Sequence, residues 1–208
     1  MTDQPTPTIE WNEALEKLLC QEAEKASGLA WLHTRAEAYF SKRTNWLQIP
    51  VIVLSTITGF LSGASIPNLP QVALGGVSIA VAVLGTINSY FAYQKRSEGH
   101  RLGSVQYAAM AKTIAIEMAL PRQQRTAPKF MLKMIKDEGK RLSEMLPRIP
   151  DTILATYKRT VGQQKDVEHP EVTNGVHHVE PFKEAAVVAM PEIQEVQTPS
   201  GVRISLAV

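Results

Sequence analysis

Residues 44–94 contain no Asp, Glu, Lys or Arg, and the pairs Lys42-Arg43 and Lys95-Arg96 bracket them. Two apolar runs fill this stretch, Trp46 to Ile66 and Val72 to Tyr93. Between them Ser65-Ile66-Pro67-Asn68-Leu69-Pro70-Gln71 reads as a turn. As a helix, each run of roughly 20 residues covers about 30 Å, the thickness of a bilayer core. A helix on the surface of a soluble bundle, or half-buried in one, keeps a charged or polar stripe toward water. Neither run has a charged one, so the stretch predicts a transmembrane helical hairpin, at about 46–66 and 72–93, in an all-α membrane protein. The competing arrangement is a long hairpin buried in a soluble bundle. A cleaved signal peptide does not fit, because the run starts far from the N-terminus and lacks the basic-then-apolar layout.

The rest of the chain is polar, with a mean hydropathy of -0.10 overall, so the apolar character is concentrated in the hairpin and a multi-span transporter is excluded. The net charge of +2 hides an asymmetry. Residues 1–43 carry 5 basic and 7 acidic groups, residues 95–165 carry 15 and 6, and residues 166–208 carry 2 and 7. Positive charge flanks both outer ends of the hairpin, at Lys42, Arg43, Lys95, Arg96 and Arg101, and is missing from the turn. The positive-inside rule then places both termini in the cytoplasm, or inside a virion, with the short turn on the opposite face. Trp46, Tyr90 and Tyr93 fall at the same expected interface, where amphipathic rings suit the headgroup layer. The basic block beside the membrane points to anionic lipid headgroups as a partner. Its charges are dispersed and no RNA-type aromatic or glycine signature accompanies them, so no nucleic acid is expected.

Residues 1–8, with Pro5 and Pro7, read as a flexible arm. Residues 9–160 form the helical domain. Thr8 is placed to cap a first helix, about 9–43, with Glu10, Glu13 and Glu16 near its N-terminus. Its apolar residues recur at three and four, and Ser27-Gly28 marks a possible interruption. The second membrane run is expected to continue as a cytoplasmic helix over about 94–120, stopped by Pro121. The apolar faces of these two helices are expected to pair as an antiparallel coil. Thr126 is placed to cap a helix at about 127–146, with Gly139 as a weak point. After Pro147 and Pro150 a short helix covers about 151–159. From 161 to 208 periodicity is lost, and the composition reads as a disordered acidic tail. Its short apolar pieces, Ala185 to Met190 and Val202 to Val208, are candidates for docking a protein partner.

The first membrane run carries Ser55, Gly59 and Gly63 four apart, with Thr58 and Ser62 beside them, a ridge that admits close helix approach. The second offers Ser78, Ala82, Gly85 and Ser89, with Thr86 and Asn88 adjacent. Packing within the hairpin accounts for most of these small residues; the functional alternative is that the hydroxyls and Asn88 line a water-filled path. Two helices cannot enclose a pore, so a pore requires a homo-oligomer. Near the membrane, His33 and Arg35 on one cytoplasmic helix and Glu98, His100 and Arg101 on the other are the polar candidates. For the histidines a structural contact between the helices outweighs a proton-sensing role. Glu98 and Glu117 are expected to pair with Arg35, Arg101 or Lys112. No phosphate loop, nucleophile elbow or metal-spaced His/Glu pair is present, so no enzyme, cofactor or metal is expected. His177-His178 reads as solvated. The single cysteine, Cys20, excludes an intrachain disulfide and is expected as a small buried side chain.

Taken together, His33 with Ala36, Tyr39 and Phe40, the run Leu47-Gln-Ile-Pro-Val-Ile-Val-Leu-Ser55-Thr-Ile-Thr-Gly59, the run Val83-Leu-Gly-Thr-Ile-Asn-Ser-Tyr90-Phe91, Arg96-Ser-Glu98-Gly-His100-Arg101, Tyr107 and Leu146-Pro-Arg-Ile-Pro150 resemble the SLATT domains over about residues 28–160. Those are two-helix membrane proteins with cytoplasmic helices on both sides. The resemblance implies an oligomeric, pore-forming membrane effector, of a kind found beside nucleotide-signalling modules in bacteria and as stand-alone copies in bacteria and large DNA viruses. It also implies that His33, Glu98, His100 and Arg101 matter. The chain departs from the fused pattern in carrying no nucleotide-sensing or synthase domain. That leaves a second expectation, a structural membrane anchor or adaptor, such as a virion or scaffold-associated protein, that recruits a partner through its tail.

Overall fold

A computed structural model describes residues 9–64, 71–164 and 166–175. These described residues are helical or irregular, with no strand. The six α-helices are α1 Glu13–Gly63, α2 Gln71–Phe91, α3 Tyr93–Ala119, α4 Pro128–Met145, α5 Asp151–Thr160 and α6 Glu171–Asn174, with a 3₁₀ turn at Arg122–Gln124. The expected arm 1–8, most of the turn, His177-His178 and the tail beyond 175 lie outside the described residues.

The first cytoplasmic helix and the first apolar run form one helix of 51 residues, about 77 Å long. It starts later than expected. Asn12, not Thr8, is the N-cap, and its side-chain oxygen accepts from the Leu15 backbone N–H at 2.8 Å, satisfying one of the orphan donors of the first turn. No interruption occurs at Ser27-Gly28, and Pro50 lies inside the helix. On the return path the expected continuous helix is broken at Ala92, which takes a left-handed conformation with φ 46°. Bonds from Ala92 N–H to the Asn88 carbonyl and from Arg96 N–H to the Ala92 carbonyl keep the two pieces in register.

The core lies in the half of the molecule away from the apolar runs. There α1 and α3 pack antiparallel. Leu19 shares a cluster with Ile114, Ala26 shares one with Tyr107, and the rings of His33 and Phe40 meet those of His100 and Tyr93 at 5.0 and 6.1 Å. Each partner set is spaced by seven residues, the heptad seam of a coiled coil. Across one side of this pair lies α4, with Met131 and Ile135 against Leu15, Leu19, Met110 and Ile114, and Leu142 against Ala26 and Tyr107. Pro128, not Thr126, opens α4, from an N-cap at Ala127. Thr126 instead bonds the Glu117 carboxylate through its N–H and hydroxyl, at 3.0 and 2.9 Å. The start of α1 is tied to the same corner: Arg122 and Arg125 both bond Glu16, and Arg125 also donates to the Leu120 and Met118 carbonyls that end α3. Cys20 is exposed rather than buried.

The segment after α5, assigned by composition to the tail, folds back as far as Gly175. Pro170 sits over Gly28, so close that a Cβ at Gly28 would lie 2.7 Å from the ring. His169 Nδ1 contacts the Tyr157 hydroxyl at 3.2 Å, the Glu168 N–H donates to Glu24 at 2.7 Å, and Thr173 is buried. This strap crosses α1 and holds α5 against it, with Tyr157 packed among Leu32 and Ile149.

Candidate functional site

The two apolar helices project beyond this core. They are long and apolar enough to cross a membrane, and almost none of their most apolar 18-residue windows is buried. Their mutual seam is narrow. Along it lie half-buried Leu54, Thr58 and Leu61 of α1 and Val77, Val81, Leu84 and Asn88 of α2. Most of the small residues lie off it. Ser55, Gly59, Ser62 and Gly63 are exposed on α1, as are Ser78, Thr86 and Ser89 on α2. A Cβ added at Gly59, Gly63 or Gly85 would meet nothing within 4 Å. Packing within the hairpin therefore does not account for these glycines. The hydroxyls of Ser62, Ser78 and Thr86 each donate to a carbonyl four residues back in their own helix, at 2.8, 3.0 and 2.9 Å, which meets their hydrogen-bonding need locally. Asn88 differs: its carboxamide oxygen is buried and has no donor among the described residues.

Where the projecting hairpin joins the core, rings and cations gather on the exposed surface. Trp46 and Tyr90 are 75% and 82% exposed. The Arg43 guanidinium lies 4.2 Å over the Tyr39 ring and 5.9 Å from that of Tyr93, and Arg96 lies 5.9 Å over Phe40. Lys42 and Lys95 are exposed. Aromatic faces hold these guanidiniums through cation–π attraction, which leaves their N–H forks free to meet anions.

One heptad further into the core the coil carries a polar layer. His33 and His100 are 3% and 0% exposed, and their Nδ1 atoms lie 2.9 Å apart. The ring of Phe40 stacks on His100 at 5.4 Å and 6°, and Tyr107 lies beside His33. Burial lowers both imidazoles from 6.5 to about 4, helped by the charge of Arg96 at His100 and by the facing ring at His33; both are neutral at pH 7. One Nδ1 must donate to the other. His100 Nε2 is buried and unpaired among the described residues. If it carried the proton, the core would hold an orphaned N–H, the rarer and costlier defect. So His100 donates from Nδ1, and His33 accepts there and carries its own proton on Nε2.

The neighbouring polar candidates do not join this layer. Glu98 accepts a forked pair from Arg101 on the same exposed helix face, at 2.6–3.1 Å. Arg35 stacks over Trp31 at 5.1 Å instead of pairing with Glu98, and Glu117 serves Thr126 instead of Lys112. Gly103, not singled out in the sequence, is what lets the layer close: a Cβ there would stand 2.7 Å from His33 Nδ1. Its signal was its place three residues after His100, on the same helix face. The strap residues His169 and Pro170 had no such signal, because a ten-residue loop has no period, whereas Tyr157 falls with Ile153 and Leu154 on one side of the expected short helix. Among the described residues no three His, Cys, Asp or Glu side chains come together as metal ligands would. Comparison with family models, with curated proteins and with solved structures finds no match to this chain.

Proposed function

We propose that the chain is an integral membrane protein whose hairpin self-associates into a homo-oligomeric pore, with the coiled base on the cytoplasmic side. The observation that carries this reading is the outward ridge Ser55, Gly59, Ser62, Gly63, where two glycines leave bare backbone that nothing in the hairpin covers. In lipid, such ridges promote helix association because backbones can approach closely. The aromatic and basic collar supports the same placement. Trp46 and Tyr90 lie at headgroup depth, and Lys42, Arg43, Lys95 and Arg96 meet anionic lipid, each attraction worth on the order of 1 kcal/mol. Asn88, whose carboxamide oxygen is a buried, unpaired acceptor among the described residues of a seam lined mostly by Leu and Val, is the polar group best placed to contact water or ions once copies assemble. The resemblance to SLATT domains points the same way.

A second reading is a membrane anchor that recruits a partner through the acidic tail. One observation favours it: Ser62, Ser78 and Thr86 satisfy their hydroxyls within their own helices and so need no water column. Single-channel recording of the purified chain in anionic bilayers, with its mass measured in detergent, separates the two. Discrete conductance steps from a defined oligomer support the pore. A defined oligomer silent across voltage and pH overturns it in favour of the anchor.

A further inference from the structure

The base holds a half-open cavity of about 630 Å³ between α1, α3, α4, the turn after α4, α5 and the strap. That is within the roughly 300–1,000 Å³ typical of small-molecule sites. His33 and Tyr107 line it, each more than nine-tenths buried, together with apolar Ala26, Leu29, Met110 and Leu142. Among the described residues the Tyr107 hydroxyl has no hydrogen-bond partner. His33 spends Nδ1 on His100, so the proton on its Nε2 is the ring donor that the coil does not use. At the rim Lys25 is held by Glu22 at 3.1 Å and Glu171 at 3.8 Å, and Arg148, almost fully exposed, faces Asp151 at 4.0 Å, so both rim cations already have carboxylates and neither lies in the interior beside His33.

The α4 wall carries a second, independent sign. Gly139 lies on it, three residues before buried Leu142, and a Cβ there would meet nothing within 4 Å. Glycine inside a helix costs about 1 kcal/mol relative to alanine, and neither close approach nor backbone conformation requires it here. A bare wall is what the position provides: any longer side chain on that face takes up cavity space.

We propose that this cavity is a binding site for a neutral, drug-sized amphipathic molecule, its apolar body against Leu29, Met110 and Leu142 and a carbonyl-type oxygen accepting from His33 Nε2–H. Such a ligand sits directly on the polar layer of the coil, so its occupancy is read at the base of the hairpin. The site is independent of whether the hairpin conducts.

The test uses the full chain in lipid nanodiscs at neutral pH, with empty nanodiscs subtracted, and fluorine NMR of two probes, 4-(trifluoromethyl)benzamide and 4-(trifluoromethyl)benzoate. Saturable binding of the amide, one per chain, is expected. It should weaken by at least about tenfold in Gly139→Trp, with the benzoate at least about tenfold weaker on the unaltered chain. Gly139→Met is measured beside Gly139→Trp, so that a folding defect in the larger replacement leaves the result intact. Amide binding that fails to saturate, or that both Gly139 variants leave unchanged, overturns the site. Benzoate binding as tight as the amide overturns the neutral head group.

Discussion

The buried histidine pair links the stability of the base to pH. Both rings are held at about 4, below the 6.5 of a free imidazole. The unfolded chain therefore binds more protons than the folded one between these values. Stability is fully present above about 6.5 and is lost as pH falls through the folded value near 4. The base should thus melt progressively earlier from pH 6.5 down to 4 when followed by circular dichroism, and the double variant His33→Leu, His100→Leu should flatten that slope. An unchanged slope would place the acid response elsewhere. Glu16 does not share this window. Its carboxyl is held at about 2 by hydrogen bonds from Arg122 and Arg125, so its contribution persists above 4.5 and fades only as pH falls toward 2. Gly103→Ala places a Cβ against His33 Nδ1 and Leu146; overpacking of this kind costs about 1–3 kcal/mol, measurable by denaturant titration at neutral pH. The histidines were legible as candidates from their positions beside the apolar runs. Their meeting atom to atom was not, because it depends on the register of two helices 67 residues apart.

Among the elements, local signals told most where the chain is periodic. The apolar runs and the three-and-four pattern of α1 and α3 mark helices without ambiguity, and the observed ends differ from expectation by a few residues. Two of the misread points turn on small residues judged by helix propensity alone. Gly28 looks like a helix breaker, yet α1 runs through it because the missing Cβ makes room for Pro170 and the Tyr157 hydroxyl. Ala92 looks like a helix former, yet it takes φ 46° between α2 and α3, a conformation that costs an alanine roughly 1–2 kcal/mol. Gly28→Ala should lift the strap off α1. Limited proteolysis should then cut within 161–175 faster than in the unaltered chain, with the melting of the α1–α3 coil little changed. Equal cleavage rates would mean that Glu24 and His169 hold the strap without the notch.

For the molecule as a whole, the division into a packed base and an exposed apolar hairpin was written in the charge distribution. What the sequence could not reveal was which small residues face the partner helix, since Gly59 and Thr58 are adjacent in sequence and differ only by rotation about the helix axis. The exposed ridge gives the proposed assembly a direct test. Gly59→Leu introduces bulk where the single chain has open space, so the monomer should insert and fold normally. Its oligomer mass in detergent should fall toward that of the free chain, the outcome that distinguishes a ridge between copies from one facing only lipid.

The unbroken α1 has a mechanical meaning. It runs from the Glu16 corner of the base to the tip of the hairpin without a joint, while the return path has one at Ala92. Apart from the ladder hydrogen bond missing at Pro50, a beam of this kind carries a tilt along its whole length. Pivoting at Gly28, some 35 residues or about 50 Å from its far end, a tilt of about 5° sweeps the tip through about 4 Å. That is close to half the interaxial distance of packed helices. In the proposed membrane assembly, a small rearrangement around His33 is therefore geared up, by leverage alone, into a displacement large enough to part neighbouring helices at the far end of α1.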